Sequence, residues 1–170
     1  MEFGWGAALL AFLTVQRVAE LWWAKQNEER LLAAGAVQYG NAHLPLIVLL
    51  HAAWMLGMWI LAYRHSVNLG YLALIVLLQI ARFWVLASLG RRWTIRILVV
   101  PGERLVARGP YRFLRHPNYA IVCAEIAIVP LALGLPLYAL IFSVLNALVL
   151  AIRIPAENAA LTANAFDRSY

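Results

Sequence analysis

Charge is scarce in this sequence. Only 13% of its 170 residues are Asp, Glu, Lys or Arg, against 64% hydrophobic residues, far from the balance of a soluble domain. A soluble chain of this length has too little interior to hide so much apolar surface, so lipid must solvate much of it. Cysteine is rarer still. Cys123, alone inside an apolar run, excludes an intramolecular disulfide and any multi-cysteine zinc site. Histidine pairs four apart with a nearby carboxylate are absent as well, so no metal is expected. Acids number 8 against 14 basic residues, a net charge of +6. Such an excess can serve nucleic acid, but here the arginines cluster beside apolar runs. Anionic headgroups and the positive-inside bias account for them, and no nucleic-acid partner is expected. A cleavable leader is not evident either, because the first apolar run carries Arg17 and Glu20 and flows into a charged helix. No internal repeat or low-complexity segment stands out.

What the chain does have is a series of long apolar runs. A bilayer crossing needs about 20 predominantly apolar residues, and segments 3–23, 44–63, 69–89, 118–133 and 137–152 are read as spans. The fold class is therefore an all-α membrane protein. One domain, 1–170, holds five transmembrane helices, a loop region at 90–117 between spans three and four, and a short C-terminal helix in the tail from Pro155. Trp22-Trp23 marks an interface, Gly35 stops a charged extension of the first helix, and Gly134-Leu135-Pro136 closes a tight helical hairpin. Basic loops assigned inside put the N-terminus out and the C-terminus in, which an odd number of spans requires. The pattern leaves the oligomeric state open.

One stretch departs from the rest. Between Leu89 and Tyr119 lie seven arginines (Arg91, Arg92, Arg96, Arg104, Arg108, Arg112 and Arg115) and one acid, Glu103. Trp93–Val100 is β-branched, Pro101-Gly102 is a turn signal, and Leu105-Val106 resumes an extended pattern, predicting a short hairpin or extended loop. Gly109-Pro110 breaks the chain and Pro117 suits the first turn of a helix. Arg91 and Arg92 read as topology anchors. The interleaving of Tyr111, His116, Pro117 and Tyr119 with arginines, ahead of a helix N-terminus, suits an anionic or nucleotide-like small molecule as well as simple anchoring. Arg153 and Glu157, four apart, share a helical face at the end of the last span. They read either as an interfacial ion pair or as a cation and an acid aimed back at the basic segment. Ionisable groups inside the spans are functional candidates by default. Arg17 and Glu20 are spaced to pair, Arg82 and Glu125 to meet across the bundle, with structural and substrate-contacting roles both open. His51 reads as a core histidine.

These motifs resemble a known family. Gly109-Pro110-Tyr111-(x)3-Arg115-His116-Pro117-Asn118-Tyr119, then a helical hairpin, then Arg153-Ile154-(x)2-Glu157-(x)3-Leu161, is similar to the isoprenylcysteine carboxyl methyltransferase family of integral membrane S-adenosylmethionine-dependent methyltransferases. Gln16-Arg17-(x)2-Glu20-Leu21, Asn27-Glu28 and the Gly35–Gly40 turn resemble a bacterial branch of it. The resemblance implies S-adenosylmethionine as cofactor, held by His116, Pro117, Asn118, Tyr119 and Tyr111. The strand Glu103–Val106 (Glu103, Arg104, Leu105, Val106) and Arg96 would join them. It implies that Glu157 holds a polar end of the cofactor, that Arg153 orients the acceptor's oxyanion, and that Arg115 supports the pocket or the acceptor. The tail departs from the family pattern, with Asn158 where a second acid is usual and Phe166-Asp167 in place of Phe-Gly.

On this resemblance the chain is expected to transfer a methyl group to a carboxylate or enolic hydroxyl of a lipophilic acceptor (prenyl, polyketide-like or fatty). Its setting would be the bacterial inner membrane, with the site facing the cytoplasm. Membrane lipids and the acceptor are the expected partners. The alternatives are a phospholipid headgroup N-methyltransferase, or a non-catalytic lipid-binding or scaffold protein. No triad or dyad of catalytic side chains is visible, which agrees with an acceptor that is already nucleophilic at neutral pH.

Overall fold

The first helix of the computed structural model, α1, runs from Trp5 to Ala33. The described residues are 5–103 and 105–164. Glu2, Arg104, Phe166-Asp167 and Arg168 therefore lie outside them. Gly35, with φ of 87°, turns the chain out of α1. A three-residue strand follows, β1 (Val37–Tyr39), then a 3-10 turn at Asn41–His43 and α2 (Leu44–Ala62). Asn68 caps α3 (Leu69–Leu89), its side chain accepting from the amides of Gly70 and Tyr71. After a 3-10 turn at Gly90–Arg92 come β2 (Ile97–Val99), a second such turn at Gly109–Arg112, α4 (Pro117–Ala132) and α5 (Pro136–Asn164).

Two sequence expectations need correction here. Leu105-Val106 is irregular, and no strand forms at the described residues of Glu103–Val106. The partner of β2 is instead β1, antiparallel, in the register Val37↔Val99, Gln38↔Leu98 and Tyr39↔Ile97. Ile97 and Val99 are the buried side of that pair and pack on Ala160 of α5, burial that a hairpin to the exposed Leu105 would not supply. Among the described residues there is also no separate C-terminal helix: α5 runs unbroken through Pro155 to Asn164. Proline there removes one backbone donor and crowds the preceding turn. The helix continues because its next two turns are tied down, Glu157 to Tyr119 and Ala160 to the strand pair.

Among the described residues, three helical segments are long and apolar enough to cross a bilayer: Leu44–Ala62, Leu69–Arg92 and Pro136–Ala163. The helix at Pro117–Ala132 is apolar but shorter. Arg17 and Glu20 interrupt the apolar run of α1. The core is small and sits on the inner faces of α1, α2, α3 and α4, around Leu10, Leu13, Trp54, Met58, Ile75, Ile126 and Val129. Many of the other leucines, isoleucines and valines on these helices point outward, as they do when acyl chains rather than water surround the bundle.

Four charges lie inside this layer. Arg17 contacts Glu20 at 3.3 Å and Glu125 at 2.5 Å. Arg82 donates to Glu20 through Nε at 2.7 Å and through Nη2, and to Glu125 through Nη1 at 3.2 Å. Gln16 and Gln79 each add an amide bond to a carboxylate, at 3.0 and 2.9 Å. The pairs anticipated within α1 and across the bundle are thus one neutral quartet joining α1, α3 and α4. His51 is satisfied within its own helix, Nδ1 lying 2.8 Å from the Ile47 carbonyl.

Candidate functional site

The segment between α3 and α4 crosses one end of the bundle, and the charged extension of α1 fixes its course. Asn27, fully buried, donates to the carbonyls of Gly90 (3.3 Å) and Trp93 (3.0 Å). Glu28 Oε1 accepts from the amides of Ile95 and Arg96, both at 3.1 Å. Arg108 donates to the Ser88 carbonyl at 2.9 Å and ties the returning chain to the end of α3. The bend beside it belongs to glycine. Gly109 has a φ of 58°, and a Cβ there would meet Ser88 Oγ at 2.0 Å. Pro117 then opens α4 at its first turn.

The path encloses a cavity of about 230 Å³. Arg96, Glu103, Leu105, Val106, Tyr111, Arg115, His116, Asn118, Tyr119, Arg153 and Glu157 all line it. Of the residues singled out from sequence, Pro117 is not on the wall: it is buried at the first turn of α4. Arg104 lies outside the described residues. Arg92, read as a topology anchor, is on the wall and pairs with Glu103. Arg96 is engaged by Glu28, Nε to Oε2 at 3.4 Å, and by Gln38 at 3.2 Å.

Arg153 and Glu157 do not pair directly. The Tyr119 hydroxyl sits between them, donating to Glu157 Oε2 and accepting from Arg153 Nε at 2.9 Å. A second Arg153 nitrogen donates to the Ile95 carbonyl. Arg153 is buried, and its hydrogen-bond partners are neutral oxygens. Among the described residues no carboxylate forms an ion pair with it, and Glu157 is reached only through the Tyr119 hydroxyl. His116 stacks on Tyr119, centroids 5.3 Å apart, with Nε2 3.0 Å from Asn158 Oδ1 and Nδ1 3.7 Å from Glu157. Asn158, where the sequence pattern led one to expect an acid, thus orients the imidazole. Burial and the charge of Glu157 hold the Tyr111 phenol well above its ordinary range, so it stays a neutral donor.

Several wall residues escaped sequence reasoning: Leu31, Trp93, Thr94 and the strand Ile97–Val99. The available signal was weak. Asn27 and Leu31 are four apart on α1, one helical face away from the lipid-facing pattern. Trp93 and Thr94 were concealed in a run that reads as plain strand.

The chain has relatives among known proteins. The model of the isoprenylcysteine carboxyl methyltransferase family matches residues 71–163. The chain is 42% identical over 158 residues to the uncharacterized protein YpbQ of Bacillus subtilis (strain 168), covering 90% of this chain and 94% of that one. It is 28% identical over 148 residues to an uncharacterized protein of Haemophilus influenzae (strain ATCC 51907 / DSM 11121 / KW20 / Rd), covering 81% and 83%. No solved structure matches. With the family motifs assembled around one cavity at the end of an apolar helical bundle, this chain belongs to the isoprenylcysteine carboxyl methyltransferase family of membrane methyltransferases.

Proposed function

We propose that the protein is an S-adenosylmethionine-dependent O-methyltransferase whose acceptor is a lipophilic molecule bearing a carboxylate or an enolic hydroxyl. The observation that carries this reading is Arg153, a buried guanidinium on the cavity wall bonded to neutral oxygens. Such a charge favours an anionic acceptor and disfavours the amine of a phospholipid headgroup.

The wall suits the cofactor. Asn118 lines the cavity and its buried Oδ1 has no protein partner, an acceptor left for an amino group. Glu157 adds a carboxylate for a cationic end, and Tyr111, His116 and Tyr119 offer aromatic faces to a planar base. When bound, S-adenosylmethionine supplies an electrophilic methyl carbon on sulfur for in-line displacement by the acceptor oxygen. Arg153 orients that oxygen, and Tyr119 holds Arg153 and Glu157 in fixed relation. Alignment and exclusion of water then supply the rate, and no strong base is needed for an ionised acceptor. Over-tight binding of the oxyanion would slow the transfer.

On this reading α1 and α4 also cross the bilayer, giving five spans with the cavity at the cytoplasmic face of a bacterial inner membrane. Titrating the purified protein with S-adenosylhomocysteine by calorimetry is expected to show one site. Incubating it with labelled cofactor and a lipid extract is expected to give a labelled lipid. A complete absence of binding heat would end the cofactor assignment.

A further inference from the structure

The ion quartet and the cavity are joined by one side chain. Trp93 lines the cavity, yet it is only 7% exposed and its Nε1 has no hydrogen-bond partner. Among the described residues on the cavity wall, it and Asn118 Oδ1 are the buried side-chain polar atoms left unsatisfied, one a donor and one an acceptor. A buried indole N–H without a partner costs about 1–3 kcal/mol. An acceptor atom of a ligand would relieve that cost.

The ring is held from every side. Asn27 fixes its carbonyl at 3.0 Å, and Ala24 and Leu86 pack against it. The Arg82 guanidinium lies 5.9 Å from the ring centroid, over its face. Arg82 is itself anchored by both carboxylates of the quartet. Two residues along the chain, the Ile95 carbonyl accepts from Arg153, so Arg153 of α5 is tied to the short segment that carries Trp93. A cation over an indole face draws electron density from the ring and makes N–H a stronger donor. The quartet therefore does more than join helices: it fixes the guanidinium that lies over a wall residue.

From this arrangement we infer that Trp93 is an acceptor-selecting residue, its indole N–H donating to the anionic oxygen that Arg153 orients, with Arg82 acting through it as a positioning residue. The inference rests on the proposed O-methyl transfer. A donor is of no use to the sulfonium or amino groups of the cofactor, which fall to Glu157 and Asn118. The cofactor's carboxylate and ring nitrogens accept hydrogen bonds too, so cofactor affinity is the readout that tells the two ligands apart.

The test compares wild type with Trp93→Phe, which keeps the ring and removes N–H. The probe is a lipid extract of the producing cells, incubated with labelled cofactor and resolved by mass spectrometry. The expected result is the same labelled lipid from both proteins. The variant should need about tenfold more extract for half-maximal rate, with S-adenosylhomocysteine affinity unchanged within twofold. Equal rates at all extract levels would overturn the inference. So would loss of S-adenosylhomocysteine affinity, which would make Trp93 a cofactor residue. A wild-type protein that labels nothing would instead overturn the transfer reading itself. For Arg82, the readout is the Trp93 indole N–H resonance, assigned by its absence in Trp93→Phe. Arg82→Lys is expected to shift it while the protein still binds S-adenosylhomocysteine, and an unmoved resonance would remove Arg82 from the proposal.

Discussion

Arg153 and Glu157 share Tyr119 but have different tasks, and single substitutions should separate them. Glu157→Ala and His116→Ala are expected to weaken S-adenosylhomocysteine binding about tenfold or more in calorimetry, since each removes a polar contact worth about 1.5–3 kcal/mol when charged. Arg153→Ala is expected to lower turnover about a hundredfold with a smaller change in that affinity. The reverse pattern would mean that the roles are exchanged. His43, buried at the end of the turn before α2, offers a pH test. Its Nε2 has no partner, and burial together with the nearby Arg153 charge holds its pKa below the ordinary 6.5. The unfolded chain then binds the extra proton first, so stability is complete above about pH 6.5 and falls as the pH drops through the folded value. Thermal midpoints in detergent at pH 7.5 and 5.5 should differ more for wild type than for His43→Asn. The spacing of Arg153 and Glu157 was visible in the sequence, but the phenol between them was not. Tyr119 reaches that position only because α4 packs along α5.

At the level of elements, the apolar helices were legible because composition and period are local properties. Boundaries set by Gly35 and the Gly134 turn were legible for the same reason. The pairing of β1 with β2 was not. Each strand has three residues, and the partners Val37 and Val99 are far apart in sequence, too short a signal for a pattern to reveal. The quartet lies between these cases: its pairs follow from helical spacing, while their fusion depends on how α1 settles against α3 and α4. Its energetics can be tested directly. Glu125→Leu leaves Arg17 and Arg82 short of a counter-ion and is expected to cost about 3–5 kcal/mol, seen as a lowered thermal midpoint in detergent. Combining it with Arg17→Met, which removes the 2.5 Å partner, should restore part of that loss. An additive double variant would show that the pair is not coupled.

For the whole molecule, orientation is the quantity to measure. In a Cys123→Ala background, Arg64→Cys is expected to react with a membrane-impermeant maleimide added to intact cells. Arg112→Cys should react only after the cells are opened. Labelling in the opposite order would invert the topology and place the cavity outside. The unbroken length of α5 adds a consequence of its own. Its 29 residues rise about 44 Å, whereas the hydrocarbon layer is about 30 Å thick. Counting that thickness from Pro136 ends near Pro155, between Arg153 and Glu157. With the layer set at that height, this one helix would carry a cation on the oil side of the boundary and an acid on the water side. A fatty reactant arriving sideways and a water-soluble one arriving from above would meet at the height where their two media meet.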